Sequence, residues 1–275
     1  MIGQDEIKKE LVNFIASTKN CTGIVCGEEG SGKKTLVREV LKEYSGVSYI
    51  VEDTKKETIT DLIEQSYKIN TPTVYVIPDI DNMSIAAMNS LLKITEEPPN
   101  DSKIILTCSS LDNVLGTIQS RALKFYMAPY FIYEIEQYYW QAQDLQKASE
   151  KEAHLVCQAC RTPGDVNVLL TNGVTELYDY VQLVFDNVDK VSGTNALKIG
   201  SKIAFKDSDT GFDLKLFFTI FERLCLDAYL STYNSMYSEW VMITHSKEND
   251  LRIKGINKSA LFDTWILEIR RSSVE

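Results

Sequence analysis

The sequence has no apolar run long enough to cross a membrane, and its first residues lack the basic and apolar regions of a signal peptide. We therefore expect a cytoplasmic protein with no membrane partner. The six cysteines are irregularly spaced, which argues against a disulfide framework in a chain of 275 residues. With 44% hydrophobic and 25% charged residues, the composition is that of an ordinary globular protein.

Positive charge is also scarce. The formal net charge of −10 argues against a surface dedicated to coating DNA or RNA. A local basic strip stays open, as does a place in a complex whose other members hold the nucleic acid. His154, Cys157 and Cys160 lack the second ligand pair that a structural zinc site usually needs, so we predict helix packing there and no metal.

The first half of the sequence alternates strand and helix patterns. The strand patterns cover residues 22–26, 47–51, 73–77, 103–107 and 123–126. This alternation predicts an α/β fold with a parallel sheet covered on both faces. After about Pro129 the strand patterns mostly disappear. Apolar stripes at helical spacing predict a helical bundle near the end of the chain, and the charged segment 246–257 is predicted to be a loop.

A phosphate-binding loop with an unusual last residue is the most informative motif. Residues 27–33 read Gly-Glu-Glu-Gly-Ser-Gly-Lys and lie between a strand pattern and a helical pattern. Glycines in this context let backbone N–H groups surround phosphate oxygens, and the lysine reaches the β and γ phosphates. The predicted nucleotide-binding residues in this segment are Gly27, Gly30, Ser31, Gly32, Lys33, Lys34 and Thr35.

The metal ligand of such a site is missing. A hydroxyl residue should follow the loop lysine and hold Mg²⁺, but Lys34 occupies that position. An ammonium group cannot coordinate Mg²⁺ and would repel it. Thr35 lies about 100° further round a helix and is a poor substitute. Two interpretations stay open: a site for ATP or ADP without a well-formed Mg²⁺ site, or a retained loop that binds no nucleotide.

The second half of an ATPase site is expected where the third strand ends. In P-loop proteins an acid at that point orders Mg²⁺, and a following acid orients the attacking water. Here Pro78 takes the first place, and Asp79 takes the second as a candidate catalytic acid. Asp81 is predicted to lie in a solvated turn. Because two independent parts are missing, loss of hydrolysis is the favoured interpretation.

The segment 84–99, which reads Ser-Ile-Ala-Ala-Met-Asn-Ser-Leu-Leu-Lys-Ile-Thr-Glu-Glu-Pro-Pro, resembles the signature helix of clamp-loader AAA+ subunits. The segments 104–107 and 117–121 follow at the spacing of that family, and Gly3-Gln4 matches its start. Among its members the delta-prime subunits of bacterial DNA polymerase III are the most similar, with the gamma/tau motor subunits second. The resemblance is specific to about residue 126, weak to 172, and limited to helical character beyond.

The resemblance implies three parts: an AAA+ ATPase-fold domain at 1–128, a helical lid at 129–173 and a helical collar for oligomerisation at 174–275. It also implies a hetero-oligomeric ring with other clamp-loader AAA+ subunits, which acts on a sliding clamp and primed DNA. The expected function is that of a delta-prime-like subunit that hydrolyses little or no ATP. The alternatives are an active gamma-like ATPase motor and a non-replicative structural protein with a relict P-loop.

Three further positions take their roles from the resemblance. Ser120-Arg121-Ala122 stands where the family has a Ser-Arg-Cys motif, with Ala122 in place of the cysteine. The arginine of that motif reaches in trans into the neighbouring subunit's ATP site; a local ion pair is the alternative for Arg121. Ser109 stands where the family has a polar sensor of the γ-phosphate. Asn167 replaces the phosphate-binding arginine of the second sensor, and nearby Asp165 is expected to add a repulsive charge.

Overall fold

The computed structural model describes residues 2–17, 21–143, 149–190, 197–206, 211–253 and 255–273. Contacts divide the chain into two compact units, Met1–Tyr130 and Phe131–Glu275. Within the described ranges, no helix combines the length and the apolar character needed to span a membrane. The second unit contains both the predicted lid and the predicted collar, and their separation at residue 173 stays a prediction.

The first unit is built on a parallel sheet, as the sequence predicts. Its strands are β1 Cys21–Cys26, β2 Val47–Ile50, β3 Thr73–Ile77, β4 Lys103–Cys108 and β5 Ala122–Tyr126. They are hydrogen-bonded in the order β2-β3-β4-β1-β5, and every pairing is parallel. Because all strands run in one direction, the loops that follow β1, β3 and β4 lie at the same edge of the sheet. The loop that precedes β5 lies at the opposite edge.

Helices cover both faces of this sheet. They are α1 Asp5–Ala16, α2 Lys33–Glu43, α3 Lys56–Ser66, α4 Ile85–Ser90, α5 Leu92–Glu96 and α6 Gly116–Gln119. Successive residues of β1 serve different cores: Ile24 packs on the side of α3 to α6, and Val25 packs on the side of α1 and α2. The helix predicted from 84 to 96 is divided at Leu91 into α4 and α5. Ser84 caps α4 by accepting a hydrogen bond from the backbone N–H of Ala87.

The second unit is mainly helical, as expected. Its helices are α7 Ile132–Ala142, α8 Glu150–Ala159, α9 Pro163–Asn172, α10 Val174–Asn187, α11 Leu214–Thr232, α12 Ser235–Asp250 and α13 Lys258–Ser272. A short parallel pair, β6 Ile203–Ala204 with β7 Phe212–Asp213, was not predicted. The apolar stripe of α11 packs against α12 and α13 through aromatic rings, and the Phe221 and Trp265 centroids lie 4.9 Å apart.

The prediction of a loop at 246–257 is wrong over its first part, because α12 continues to Asp250. The charged residues of that segment obscure the helical pattern in the sequence. The buried face of α12 is formed by Trp240, Thr244 and Glu248. The Thr244 hydroxyl accepts a hydrogen bond from the Trp265 indole N–H at 3.0 Å. Contacts of this buried face join α12 to α11 and α13, although the segment has little local hydrophobicity.

Candidate nucleotide site

The loop between β1 and α2 has the backbone conformation that its glycines permit. Gly30 and Gly32 have φ angles of 78° and 88°, in the left-handed region where a side chain would be strained. Gly27 has a different constraint: a Cβ atom there would lie 2.8 Å from Cβ of Met127. The predicted strand–loop–helix arrangement is therefore present, and the glycines are needed for it.

The loop is held from two sides. The Gly27 N–H donates to the carbonyl of Cys108 at the end of β4, at 3.3 Å. Buried Ser31 contacts Met127 through its hydroxyl, and the Tyr130 hydroxyl donates to the Ser31 carbonyl at 2.7 Å. Tyr130 was not identified from the sequence as a support of the loop. The loop is anchored independently of any ligand.

Lys33 is turned toward its own loop. Only 6% of the residue is exposed, and its Nζ donates to the carbonyls of Gly27 and Glu28 at 2.7 and 2.8 Å. A third bond reaches the hydroxyl of Ser109 at 3.1 Å. These three contacts match the three N–H donors of an ammonium group. Burial lowers the pKa of Lys33, and the negative charges of Asp79 and Asp81 oppose that shift.

Lys33 and Ser109 were predicted separately, the first from the loop motif and the second from the family resemblance. The structure brings them into direct contact, as expected if both face one phosphate-sized space. A γ-phosphate placed there would have to exchange with the carbonyl contacts of Lys33. The arrangement can bind an anion only after that exchange.

Lys34, after the glycine loop, forms an ion pair with Asp79, after β3. The pair thus connects the two segments in which the expected Mg²⁺ ligands are missing. Lys34 lies in the first turn of α2, and Asp79 follows Pro78 at the end of β3. The Asp79 backbone has a left-handed φ of 49°, and its N–H donates to the Thr107 hydroxyl at 3.0 Å. The residue at the metal-ligand position thus neutralises the candidate catalytic acid. Thr35, one position further along α2, is exposed.

Asp81 corrects the prediction of a solvated turn. The residue is only 5% exposed, and its Oδ2 accepts hydrogen bonds from the backbone N–H groups of Ser109 and Ser110 at 2.8 and 3.2 Å. It lies in a short 3-10 turn, Ile80–Asn82, that packs through buried Ile80. Asp81 therefore holds the loop that carries Ser109. In the sequence, the one signal for this role is the alternation of apolar and acidic residues after β3.

Arg121 lies away from this loop, directly before β5. Because β1 and β5 pair in parallel with Thr22 opposite Ala122, Arg121 is at the edge of the sheet opposite the Gly27 end of β1. Five residues of strand separate the two edges by about 16 Å. Its guanidinium donates to the Thr117 carbonyl at 2.7 Å and lies 3.4 Å from the Glu96 carboxylate. The local ion pair considered from the sequence is present, on a side chain that is 35% exposed.

In the second unit, Asn167 is exposed and its amide donates to the Tyr138 hydroxyl at 3.0 Å. Asp165 is buried; it accepts from the Thr162 N–H at 3.0 Å in a capping box and pairs with Lys215 at 2.8 Å. The expectation that Asp165 adds a repulsive charge is therefore wrong, because Lys215 and the helix N-terminus neutralise it.

The first unit is similar in sequence to known proteins. Residues 2–130 match the family described as "DNA polymerase III, delta subunit". The chain is 30% identical over 129 residues to the gamma subunit of DNA polymerase III from Buchnera aphidicola, covering 43% of this chain and 34% of that protein. It is also 30% identical over 131 residues to the delta' subunit from Yersinia pestis, covering 46% and 38%. The matched region spans well under half the length of these relatives.

Solved structures agree in fold. A DNA polymerase III gamma subunit-related protein from Thermotoga maritima superposes with a TM-score of 0.50 at 15% identity, covering 97% of this chain and 99% of that one. The RuvB Holliday junction branch migration motor of the same organism gives 0.51 at 17% identity, covering 84% and 77%. At these identities the likeness shows an AAA+ fold alone. The sequence match thus relates the first unit to subunits of DNA polymerase III, and the solved structures give the chain an AAA+ fold.

Proposed function

We propose that this chain is a delta-prime-like subunit of a DNA polymerase III-type clamp loader, and that it hydrolyses little or no ATP by itself. In the proposed complex it helps other AAA+ subunits to load a sliding clamp on primed DNA. Its chemical contribution is Arg121, supplied in trans to the nucleotide of a neighbouring subunit. The observation that carries the proposal is the ion pair between Lys34 and Asp79.

The ion pair supports loss of hydrolysis in two ways. Mg²⁺ needs a near-octahedral set of oxygen ligands, and the Lys34 ammonium occupies the position of one of them with the same sign of charge. The Asp79 carboxylate is directed to that ammonium rather than to an attacking water. Pro78 offers no side-chain oxygen where the first acid belongs. A bound metal ion contributes several kcal/mol to phosphoryl transfer. A site that lacks two of the metal ligands is therefore expected to react very slowly.

The position of Arg121 supports action in trans. It lies at the sheet edge opposite its own P-loop, so within the first unit it is not directed at that loop. Its partner Glu96 is exposed, and exposed ion pairs contribute only about 0–1 kcal/mol. A phosphate from another subunit can replace Glu96 with a stronger, bidentate contact.

The test is steady-state ATP turnover by the purified chain, with nucleotide affinity measured by calorimetry in Mg²⁺ and in a chelator. We expect turnover no higher than that of the Lys33→Ala variant, and binding that is weak and independent of Mg²⁺ or absent. Mg²⁺-dependent turnover that Lys33→Ala abolishes would instead establish the gamma-like motor. Purification of a tagged chain from its host without any clamp-loader subunit would establish the non-replicative alternative.

A further inference from the structure

Two helices of the second unit bring three potential metal ligands together, far along the chain from the nucleotide loop. Glu222 lies on α11, and His245 and Glu248 lie on one face of α12 because they are three positions apart. One ligand atom from each residue lies within 4.8 Å of the other two. The Nδ1 of His245 is 3.4 Å from Oε1 of Glu222.

The two carboxylates are incompletely paired. Glu248 is 5% exposed, and both it and Glu222 have an Oε2 atom that is buried and has no hydrogen-bond partner among the described residues. Arg161 lies 3.4 Å from Oε1 of Glu248, and the exposed imidazole of His245 contacts Oε1 of Glu222. Buried carboxylate oxygens nearly always have a partner. Each carboxylate thus has a buried oxygen without a partner among the described residues, in a cluster whose ligand atoms lie within 4.8 Å of one another.

We propose that Glu222, His245 and Glu248 bind one divalent transition-metal ion, for which zinc is the best match. One imidazole nitrogen and two carboxylate oxygens form a ligand set that zinc uses, with water in the fourth position. Bonds of about 2.1 Å at tetrahedral angles place two ligand atoms about 3.4 Å apart, which is the observed separation of His245 and Glu222. The ion would require a small inward movement of the third ligand.

Arg161 affects the proposed site in two ways. Its positive charge opposes a cation, but it contacts Oε1 of Glu248 and leaves the buried Oε2 for the metal. The two carboxylates together outweigh the one guanidinium. In the bound state Arg161 orients Glu248 as an outer partner, as groups behind metal ligands commonly do. The metal would join α11 to α12, so its role is structural rather than catalytic.

The test is titration of the full chain with zinc by calorimetry after chelator treatment, together with a thermal melt in zinc and in chelator. We expect one zinc per chain and a higher Tm in zinc. His245→Ala and Glu222→Gln should each weaken binding by about tenfold or more, with an unchanged far-ultraviolet circular dichroism spectrum. The absence of saturable binding in the wild type would overturn the proposal.

The matched control is His154→Ala, which removes the other of the two histidines and should leave zinc binding unchanged. His154 lies near Cys157 on α8, so zinc held there would respond to this variant and not to His245→Ala. Cobalt gives a second readout, because a nitrogen and oxygen site lacks the charge-transfer absorption of a cobalt–thiolate bond. Loss of binding in His154→Ala alone, or a thiolate band, would assign the metal elsewhere and refute the site.

Discussion

The two edges of the central sheet have opposite characters. At the edge where β1 and β3 end, the charged groups are paired internally: Lys33 bonds its own loop, and Lys34 contacts Asp79. At the other edge, Arg121 is held by an exposed pair with Glu96 and by one carbonyl. The first edge has the backbone of a nucleotide site, and its two lysines have partners within the unit. The second edge has Arg121, whose partner Glu96 is exposed.

The proposed function interprets this difference as one between a quiet edge and an edge that acts on a ligand. A phosphate at the P-loop has to replace contacts that already satisfy Lys33, and it finds no oxygen ligand for Mg²⁺ at Lys34 or Pro78. In the proposed function, a phosphate that reaches Arg121 from another subunit replaces the exposed Glu96 carboxylate, and it competes with the contact to the Thr117 carbonyl. The proposal therefore assigns the chemistry to the second edge.

The largest expected effect is that of removing the arginine. In the complex recovered with a tagged chain, Arg121→Ala should lower ATP turnover at the neighbouring site by about 10³-fold or more, because a trans arginine stabilises the charge of the transition state. Arg121→Lys should recover only part of the activity, since an ammonium cannot bind phosphate bidentately. The measurement is single-turnover hydrolysis by the complex.

The control for that variant is Lys124→Ala, which removes an exposed cation on the adjacent strand β5. It should leave turnover unchanged. If both variants lower turnover equally, the effect reflects the general charge of this edge, and the assignment of Arg121 fails.

The second effect concerns the rigidity of the P-loop edge. Asp81→Ala leaves the backbone N–H groups of Ser109 and Ser110 without their acceptor, and the loss of each partly buried hydrogen bond costs about 1 kcal/mol. We expect a lower midpoint in urea unfolding. Asp61→Ala, on an exposed position of α3, is the matched control and should change stability little. If the two variants change stability equally, Asp81 is a solvated turn residue and does not hold the loop.

Much of the fold of the first unit could be predicted from the sequence. The strands were placed within a residue of their observed bounds. For β1, β3 and β4 the reason is that short apolar runs buried on both faces leave a clear pattern. The glycine loop was recognisable since its spacing fixes its backbone. The absence of hydroxyl and acid at Lys34 and Pro78 was visible directly.

The contacts between distant segments were not predictable. The Lys34–Asp79 pair depends on how α2 and the end of β3 meet, and the sequence gives each residue only its own local pattern. Asp81 was misjudged for the same reason, because its acceptor role requires the loop after β4. The end of α12 was misjudged because its charges outnumber the few residues that are buried against α13.

A third, smaller effect follows from separating the ion pair at the P-loop. Lys34→Thr restores the usual hydroxyl and releases Asp79, so Mg²⁺ should now strengthen ATP binding where it has no effect on the parent chain. Because Pro78 still supplies no acid, we expect a gain of about tenfold in affinity, or 1.4 kcal/mol, and no recovery of turnover. Calorimetry with and without Mg²⁺ measures it. Lys42→Thr near the end of α2 is the control for removal of one lysine charge.

The smallest expected effect is at Glu96, and it decides whether Arg121 is available. Glu96→Gln removes the charge opposite Arg121 but keeps the size of the side chain. Since both side chains are largely exposed, unfolding in urea should change by less than about 0.5 kcal/mol. Turnover by the complex should stay the same or rise slightly, because Arg121 no longer has to leave a carboxylate. A marked loss of stability would mean that the pair holds α5 to the start of β5. Arg121 would then be a structural residue.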